Sequence, residues 1–228
     1  WKKPSRLGAV VHAGLATDGE RLFVQADPAV VTAVRIADGK VLWRNSRPVT
    51  RDFLVEGHGA PIVHNGVVYA GLANGKMIAL AARDGGLVWE FGLAQRGASP
   101  YVDVDNTPVV AKIGGKTALL VTGHNSGLYA IAAANGERVW RYAANGLGQP
   151  VVADGRVYSV APHGALHVVG LDSGKRVLGR KLSGRPSGQV AVAGQWLLVP
   201  SGGGLQAVDR KTGHTVWHLV DEYGFGAA

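Results

Sequence analysis

Short apolar runs and turn residues alternate along most of the chain. From Pro150 the order is Pro-Val-Val-Ala, an Asp154-Gly155 turn, Arg-Val-Tyr158-Ser-Val, a His163-Gly164 turn, an apolar stretch from Leu166 to Leu171, an Asp172-Ser-Gly174 turn, and Arg176 to Leu182. Apolar runs of this length, bounded by Gly, Asp and Asn, read as β-strands. Asp-Gly and Asn-Gly tolerate the positive φ that tight hairpin turns require, and these dipeptides recur at Asp18-Gly19, Asn65-Gly66, Asn74-Gly75 and Asn135-Gly136. The pattern predicts antiparallel meanders of four strands each.

The meander is repeated. Gly39-Lys-Val-Leu-Trp43, Gly85-Gly-Leu-Val-Trp89, Gly136-Glu-Arg-Val-Trp140, Gly174-Lys-Arg-Val-Leu178 and Gly213-His-Thr-Val-Trp217 share the form Gly-x-x-φ-Trp, where φ is apolar and Leu178 once replaces Trp. The intervals between the last positions are 46, 51, 38 and 39 residues, the spacing of propeller blades. One such sheet cannot bury both faces alone, so the units are expected to pack face to face around an axis as an all-β β-propeller. The predicted repeats are 14–47, 57–94, 105–144, 148–183 and 187–219, within a single domain over 1–220 followed by a tail at 221–228. Trp1 reads as the end of an earlier repeat. Trp43, Trp89, Trp140, Leu178 and Trp217 mark the repeat so regularly that they are expected to pack between blades.

Composition narrows the chemistry. With 46% hydrophobic residues in 228, a sizeable core is available. The absence of cysteine removes disulfides, thiolate metal sites and cysteine nucleophiles. The formal charge of +8 favours an anionic partner. Its densest cluster, Arg176, Arg180, Lys181 and Arg185, lacks the interleaved aromatics of a single-strand platform, so no nucleic acid partner is expected. No run of 18 apolar residues spans a bilayer. The chain opens at Trp1 without a leader, which carries the expectation that any signal or anchor has been removed.

Candidate catalytic groups thin out on inspection. His163-x-x-x-His167 and His214-x-x-x-His218 have the spacing that chelates zinc from a helix, but they fall on turns and strands. Residues four apart along a strand are separated by about 13 Å, too far to share one ion. Gly57-His-Gly59 and Gly146-Leu-Gly148 precede prolines and strands rather than opening a helix, which argues against phosphate loops. No Gly-x-Ser-x-Gly elbow occurs. The 16 carboxylates lie mostly at turns, where Asp bonds its own backbone. The reading is a non-enzyme with no cofactor and no metal.

Function in a repeat scaffold concentrates where the repeat is broken. Two connections stand out, Arg51-Asp-Phe53-Leu-Val55-Glu56-Gly-His-Gly59-Ala-Pro61 and Gly97-Ala-Ser-Pro-Tyr101-Val-Asp103-Val-Asp105-Asn-Thr-Pro108. In an extended segment Asp103 and Asp105 face one side. The residues alone leave two readings open: Phe53 and Val55 cover a blade edge while Asp103 and Asp105 cap turns, or the four form a binding surface.

The repeat, with a third strand of the Gly-x-Leu-Tyr-Ala-Leu type and a Gly-x-x-φ-Trp fourth, resembles the repeat named after the quinone cofactor PQQ over about residues 14 to 219. The two connections together, apolar-x-apolar-x-Gly-x-x-Ala-Pro and then Asp-Val-Asp-x-Thr-Pro-Val-Val, resemble the BamB family of propeller lipoproteins of the outer-membrane β-barrel assembly machinery. The resemblance implies a non-enzymatic scaffold whose two connections dock on a periplasmic POTRA domain of a BamA-like protein, at the inner leaflet of the outer membrane. It implies partner-binding roles for Phe53, Val55, Asp103 and Asp105. Glu56 departs from the family's usual Arg and adds a negative charge, so the partner surface needs to be more basic or Arg51 takes that role. The family has eight blades; five repeats here fit a fragment of a larger ring, a smaller ring or an open one. Two alternatives stay open: a propeller binding a small ligand or quinone in its channel, with or without redox chemistry, and a generic blade array of a larger surface protein. A peripheral membrane association through a lost lipid anchor is compatible with the resemblance.

Overall fold

The computed structural model describes residue 11 and residues 14–26, 29–48, 59–93, 104, 106–123 and 125–220. All regular elements among them are strands, arranged as five four-stranded antiparallel sheets. Blade one holds β1 (Leu15–Thr17), β2 (Arg21–Ala26), β3 (Val30–Arg35) and β4 (Val41–Ser46), and blade two holds β5 (Ile62–His64), β6 (Val67–Gly71), β7 (Lys76–Ala81) and β8 (Leu87–Gly92). Blade three holds β9 (Val109–Ile113), β10 (Lys116–Gly123), β11 (Gly127–Ala132) and β12 (Arg138–Tyr142). Blade four comprises β13 (Val151–Ala153), β14 (Arg156–Val160), β15 (Ala165–Gly170) and β16 (Arg176–Lys181), and blade five comprises β17 (Ala191–Ala193), β18 (Trp196–Ser201), β19 (Gly204–Asp209) and β20 (Thr215–Val220). The fold is a β-propeller of consecutive meanders. Trp1 and the 221–228 tail lie outside the described residues.

The two middle strands of each blade are buried on both faces, whereas the outermost strand is largely exposed. Four apolar clusters join blade one to two, two to three, three to four and four to five. Each is built on the same lock. Trp43, Trp89 and Trp140 donate their indole N–H to the carbonyl oxygens of Ala82, Ala133 and Leu171 in the following blade, at 2.9–3.0 Å. Beneath each ring lies the motif glycine of that following blade. A Cβ on Gly85, Gly136 or Gly174 would stand 2.6–2.8 Å from the ring of Trp43, Trp89 or Trp140, closer than real contacts allow. These glycines also have φ between +65° and +75°, which L side chains adopt at a cost. Leu178 takes the ring's place above Gly213.

The motif's apolar φ residue does not join this core. In every blade the pairing of third and fourth strands shifts register by one residue, opposite Ala33, Ala79, Ala130, Val168 and Ala207. The bulge makes Leu42, Val88, Val139, Val177 and Val216 the unpaired residue and turns it outward, with Val88, Val139, Val177 and Val216 about half exposed. Trp217 differs from Trp89 and Trp140. It is 43% exposed against their 7% and 9%, since no glycine-bearing blade follows it among the described residues.

A polar contact also crosses an interface. The Tyr142 hydroxyl on β12 lies 2.9 Å from Nδ1 of His167 on β15, with the rings edge to face. Burial pushes the His167 pKa down from 6.5, and the positive charges of Arg176 and His163 add to it.

Two outcomes follow from this packing. Trp89→Ala should destabilise the fold by about 3–5 kcal/mol, and Trp217→Ala by no more than about half of that because its ring is already partly in water. Chemical denaturation of both variants measures this, and equal losses would contradict the lock. Second, unfolded His167 titrates near 6.5 and the folded residue below it, so the neutral form's stability is complete above 6.5 and declines as pH falls toward the folded value. His167→Gln should flatten the fall of melting temperature below pH 6.5; parallel profiles for the two chains would refute the role.

Candidate interaction surface

Antiparallel meanders sort their loops by end. The turns between first and second and between third and fourth strands lie at one end of each blade, and the turns between second and third strands lie at the other with the blade-to-blade connectors. Both irregular connections are such connectors, joining β4 to β5 and β8 to β9. Phe53, Val55, Glu56, Asp103 and Asp105 lie outside the described residues. The points where the two connectors leave and rejoin the blades are described, and they converge.

The first connector departs from Arg47, whose N–H donates to the Ala29 carbonyl at 3.0 Å. The second departs from Leu93, fully buried, whose N–H donates to Gly75 and whose carbonyl accepts the Tyr129 hydroxyl at 2.9 Å. Their returning ends touch. A Cβ on Gly59 would meet the Asn106 backbone at 2.8 Å, so glycine is the residue that lets the two chains approach this closely. The Ala60 N–H donates to the Thr107 hydroxyl at 2.9 Å, and the Thr107 carbonyl accepts from the Gln149 amide at 2.7 Å. Ala60, Thr107 and Gln149 each precede a proline that opens a blade, so these bonds form a ladder across the inner ends of blades two, three and four.

Val104, the residue between Asp103 and Asp105, is anchored in the same place. It is 1% exposed, and its side chain occupies the volume that a Cβ on Gly71 would need, 2.3 Å from Cγ1. Gly71 also accepts from the buried Gln25 amide at 2.5 Å. Asn106 donates to the buried Thr122 hydroxyl at 2.8 Å. Gln25, Gly71 and Thr122 hold equivalent positions of the second strand in successive blades. Sequence reading quoted Thr107 within a motif without giving it a role and passed over Gly71 and Gln149; for Thr107 and Gln149 the polar residue before proline was the available signal.

The described carboxylates do other work. Asp38 accepts from the Lys40 backbone N–H, Asp84 from Gly86, and Asp209 from the Thr212 hydroxyl and backbone, and each is thereby held below its ordinary pKa. They close hairpin turns. No group of three or more His, Cys, Asp or Glu that could hold a metal occurs among the described residues. His167 is engaged by Tyr142, and His214 and His218 are exposed at the start and middle of the last hairpin arm.

Comparison with known proteins agrees with the propeller fold. A family model described as outer membrane protein assembly factor BamB matches residues 1–177 and 124–228. Outer membrane protein assembly factor BamB of Yersinia pestis is 28% identical over 232 residues, covering 95% of this chain and 55% of that protein. The BamB of Kangiella koreensis is 32% identical over 179 residues, covering 75% of this chain and 45% of that protein. The chain thus spans about half the length of the curated relatives it matches. The crystal structure of BamB from Moraxella catarrhalis superposes with a TM-score of 0.79 at 18% identity over 95% of this chain and 66% of that one. A quinohemoprotein alcohol dehydrogenase from Comamonas testosteroni superposes with a TM-score of 0.73 at 17% identity over 95% of this chain and 45% of that one. At such identities both likenesses speak for the propeller fold alone. The family match, running the length of the chain, shows that it belongs to the family of outer membrane protein assembly factor BamB.

Proposed function

We propose that the chain is a non-enzymatic interaction scaffold of outer-membrane protein assembly, docking through its two irregular connectors on a POTRA domain of a BamA-like protein in the periplasm, beside the inner leaflet of the outer membrane. The observation that carries this reading is the stitching of both connectors at their roots: Gly59 against Asn106, Ala60 bonded to Thr107, and Val104 seated over Gly71. Two loops that return through one packed junction share a rigid base, and ordering the interface residues on binding costs less when that base is already set. Membership of the BamB family supports the same assignment. The bonding of Asp38, Asp84 and Asp209 within turns supports a scaffold over an acid–base enzyme.

Phe53 and Val55 supply apolar contacts in this reading, and Asp103 and Asp105 supply carboxylates for basic residues of the partner. Glu56 adds a third carboxylate in a chain whose net charge, with all three counted, is +8. Such a cluster selects a basic partner surface and rejects an acidic one.

The combined change Asp103→Ala and Asp105→Ala should weaken binding to the cognate POTRA region about tenfold or more, measured by calorimetry with melting temperature as control. Unchanged affinity would remove the two aspartates from the interface. Gly71→Ala tests the junction, because its Cβ must displace Val104. Its affinity should fall although Gly71 lies inside the propeller, and a variant that binds normally with Val104 displaced would show that the junction does not set the interface.

A further inference from the structure

The end of the propeller opposite the connectors carries an uneven charge. In blades one and two its turns hold Arg21, Arg35, Lys40 and Arg83 against Asp18, Glu20, Asp38 and Asp84, an even balance. Three of these acids are paired with arginines: Asp18 with Arg21, Asp38 with Arg35 and Asp84 with Arg83. The remaining blades differ. Blade three brings Lys112, Lys116 and Arg138 against Glu137, blade four Arg156, Lys175 and Arg176 against Asp154 and Asp172, and blade five Arg210 and Lys211 against Asp209. Eight basic residues therefore face four acidic ones.

The acids on this side are also largely occupied. Asp209 closes its turn, Asp172 accepts from the Gly114 N–H at 3.2 Å, and Asp154 accepts from Arg210 at 2.5 Å. Arg210 stacks over the Tyr158 ring, 5.3 Å from its centroid, and also donates to the Gly194 carbonyl, so its guanidinium is committed to holding blades four and five together. Lys112, Lys116, Arg138, Arg156, Lys175, Arg176 and Lys211 have no carboxylate ion-pair partner among the described residues. Lys112, Lys116, Arg138, Lys175, Arg176 and Lys211 are exposed, and Arg156 is half-buried. Beside them a groove of about 480 Å³ opens between blades four and five, flanked by Arg156 and Lys211 with the Arg210–Tyr158 stack in its wall; Asp154, bonded to Arg210, and Asp209, bonded within its turn, also line it.

The turns that bear these charges form one continuous surface, since the first turn of each blade is tied to the third turn of the next. Arg21 donates to the Ala82 carbonyl, the Gly114 N–H to Asp172 and Arg210 back to Asp154, and between blades two and three the Tyr69 hydroxyl reaches from within β6 to Ala133. Beside the turns of blades three to five the exposed large apolar side chains are Val139, Val177 and Val216, one on the outer strand of each blade. Protein partners of ordinary affinity bring an apolar centre to their interface, and single-stranded nucleic acid needs exposed rings. Unpaired cations spread over a broad surface whose exposed apolar side chains stand singly, one to a blade, match instead a plane of phosphates.

We propose that this turn end of blades three to five is an electrostatic docking surface for an anionic phospholipid bilayer, with the groove between blades four and five receiving a headgroup phosphate. It lies opposite the connectors, so a propeller resting on a membrane this way presents the connector end to the aqueous side. The proposal stands apart from the POTRA reading and uses none of its residues.

Co-sedimentation of the intact chain with phosphatidylcholine vesicles, with and without phosphatidylglycerol, tests it. Binding is expected only with phosphatidylglycerol and should weaken with salt, since basic residues at such a surface are each worth about a fivefold gain in partitioning. The triple change Arg156→Glu, Lys175→Glu, Lys211→Glu should abolish it at an unchanged melting temperature and unchanged POTRA affinity. Arg35→Glu with Lys40→Glu, on the balanced side, should retain most of it. Equal binding to neutral and anionic vesicles, or full binding by the triple variant, would overturn the proposal. Binding to polyglutamate without binding to anionic vesicles would overturn it in favour of an acidic protein partner.

Discussion

The structure depends on one contact made repeatedly: an indole from one blade laid over a glycine of the next. Each sheet is apolar on both faces in its middle strands, and neither face is satisfied until a neighbour covers it. Trp43, Trp89 and Trp140 supply area for that burial, and the indole N–H fixes its direction by bonding a carbonyl of the neighbouring blade's turn. The glycine beneath answers two needs together, the left-handed backbone of its own turn and the absence of a Cβ under the ring. Glycine and tryptophan of one motif therefore serve opposite sides of their blade, and the repeat is a plug and socket four residues apart.

That arrangement explains which parts of the fold were legible in the chain. Strand number and turn position could be read from Asp-Gly and Asn-Gly punctuation, since positive φ is a local property of those residues. The tryptophans were legible as interblade packing because their spacing is regular. The outward turn of Val88, Val139, Val177 and Val216 was not. An apolar residue next to a tryptophan has no local mark saying that a bulge will rotate it into solvent, and only the pairing of the third and fourth strands reveals it. The candidate surface was legible as two broken repeats. Its supports were not: Thr107 stood within the quoted Asp-Val-Asp-x-Thr-Pro motif and Gln149 before a proline, but neither these nor Gly71 told what they act on, since each acts on a residue 33 or more positions away.

The junction beneath the connectors reuses the scaffold's own logic. A glycine admits a foreign side chain in the interblade lock, and Gly71 admits Val104 in the same way. The difference lies in what is admitted. Between blades the guest is a repeat residue and the result is another blade; at Gly71 the guest belongs to an inserted loop, and a non-repeating segment becomes part of the packed body.

The two ends of the molecule consequently separate two kinds of constraint. Hairpin turns at one end are short and close on their own Asp or Asn side chains, so their sequence is free to vary only in outward charge. Connectors at the other end have no such closure to satisfy and can lengthen where neighbouring blades offer them a seat. Loop closure grows slowly with length, so extra residues at that end weigh little on stability once the roots are anchored. A propeller of this design can take up inserted segments at its connector end and outward charge at its turn end, without either change reaching the tryptophan–glycine locks between them.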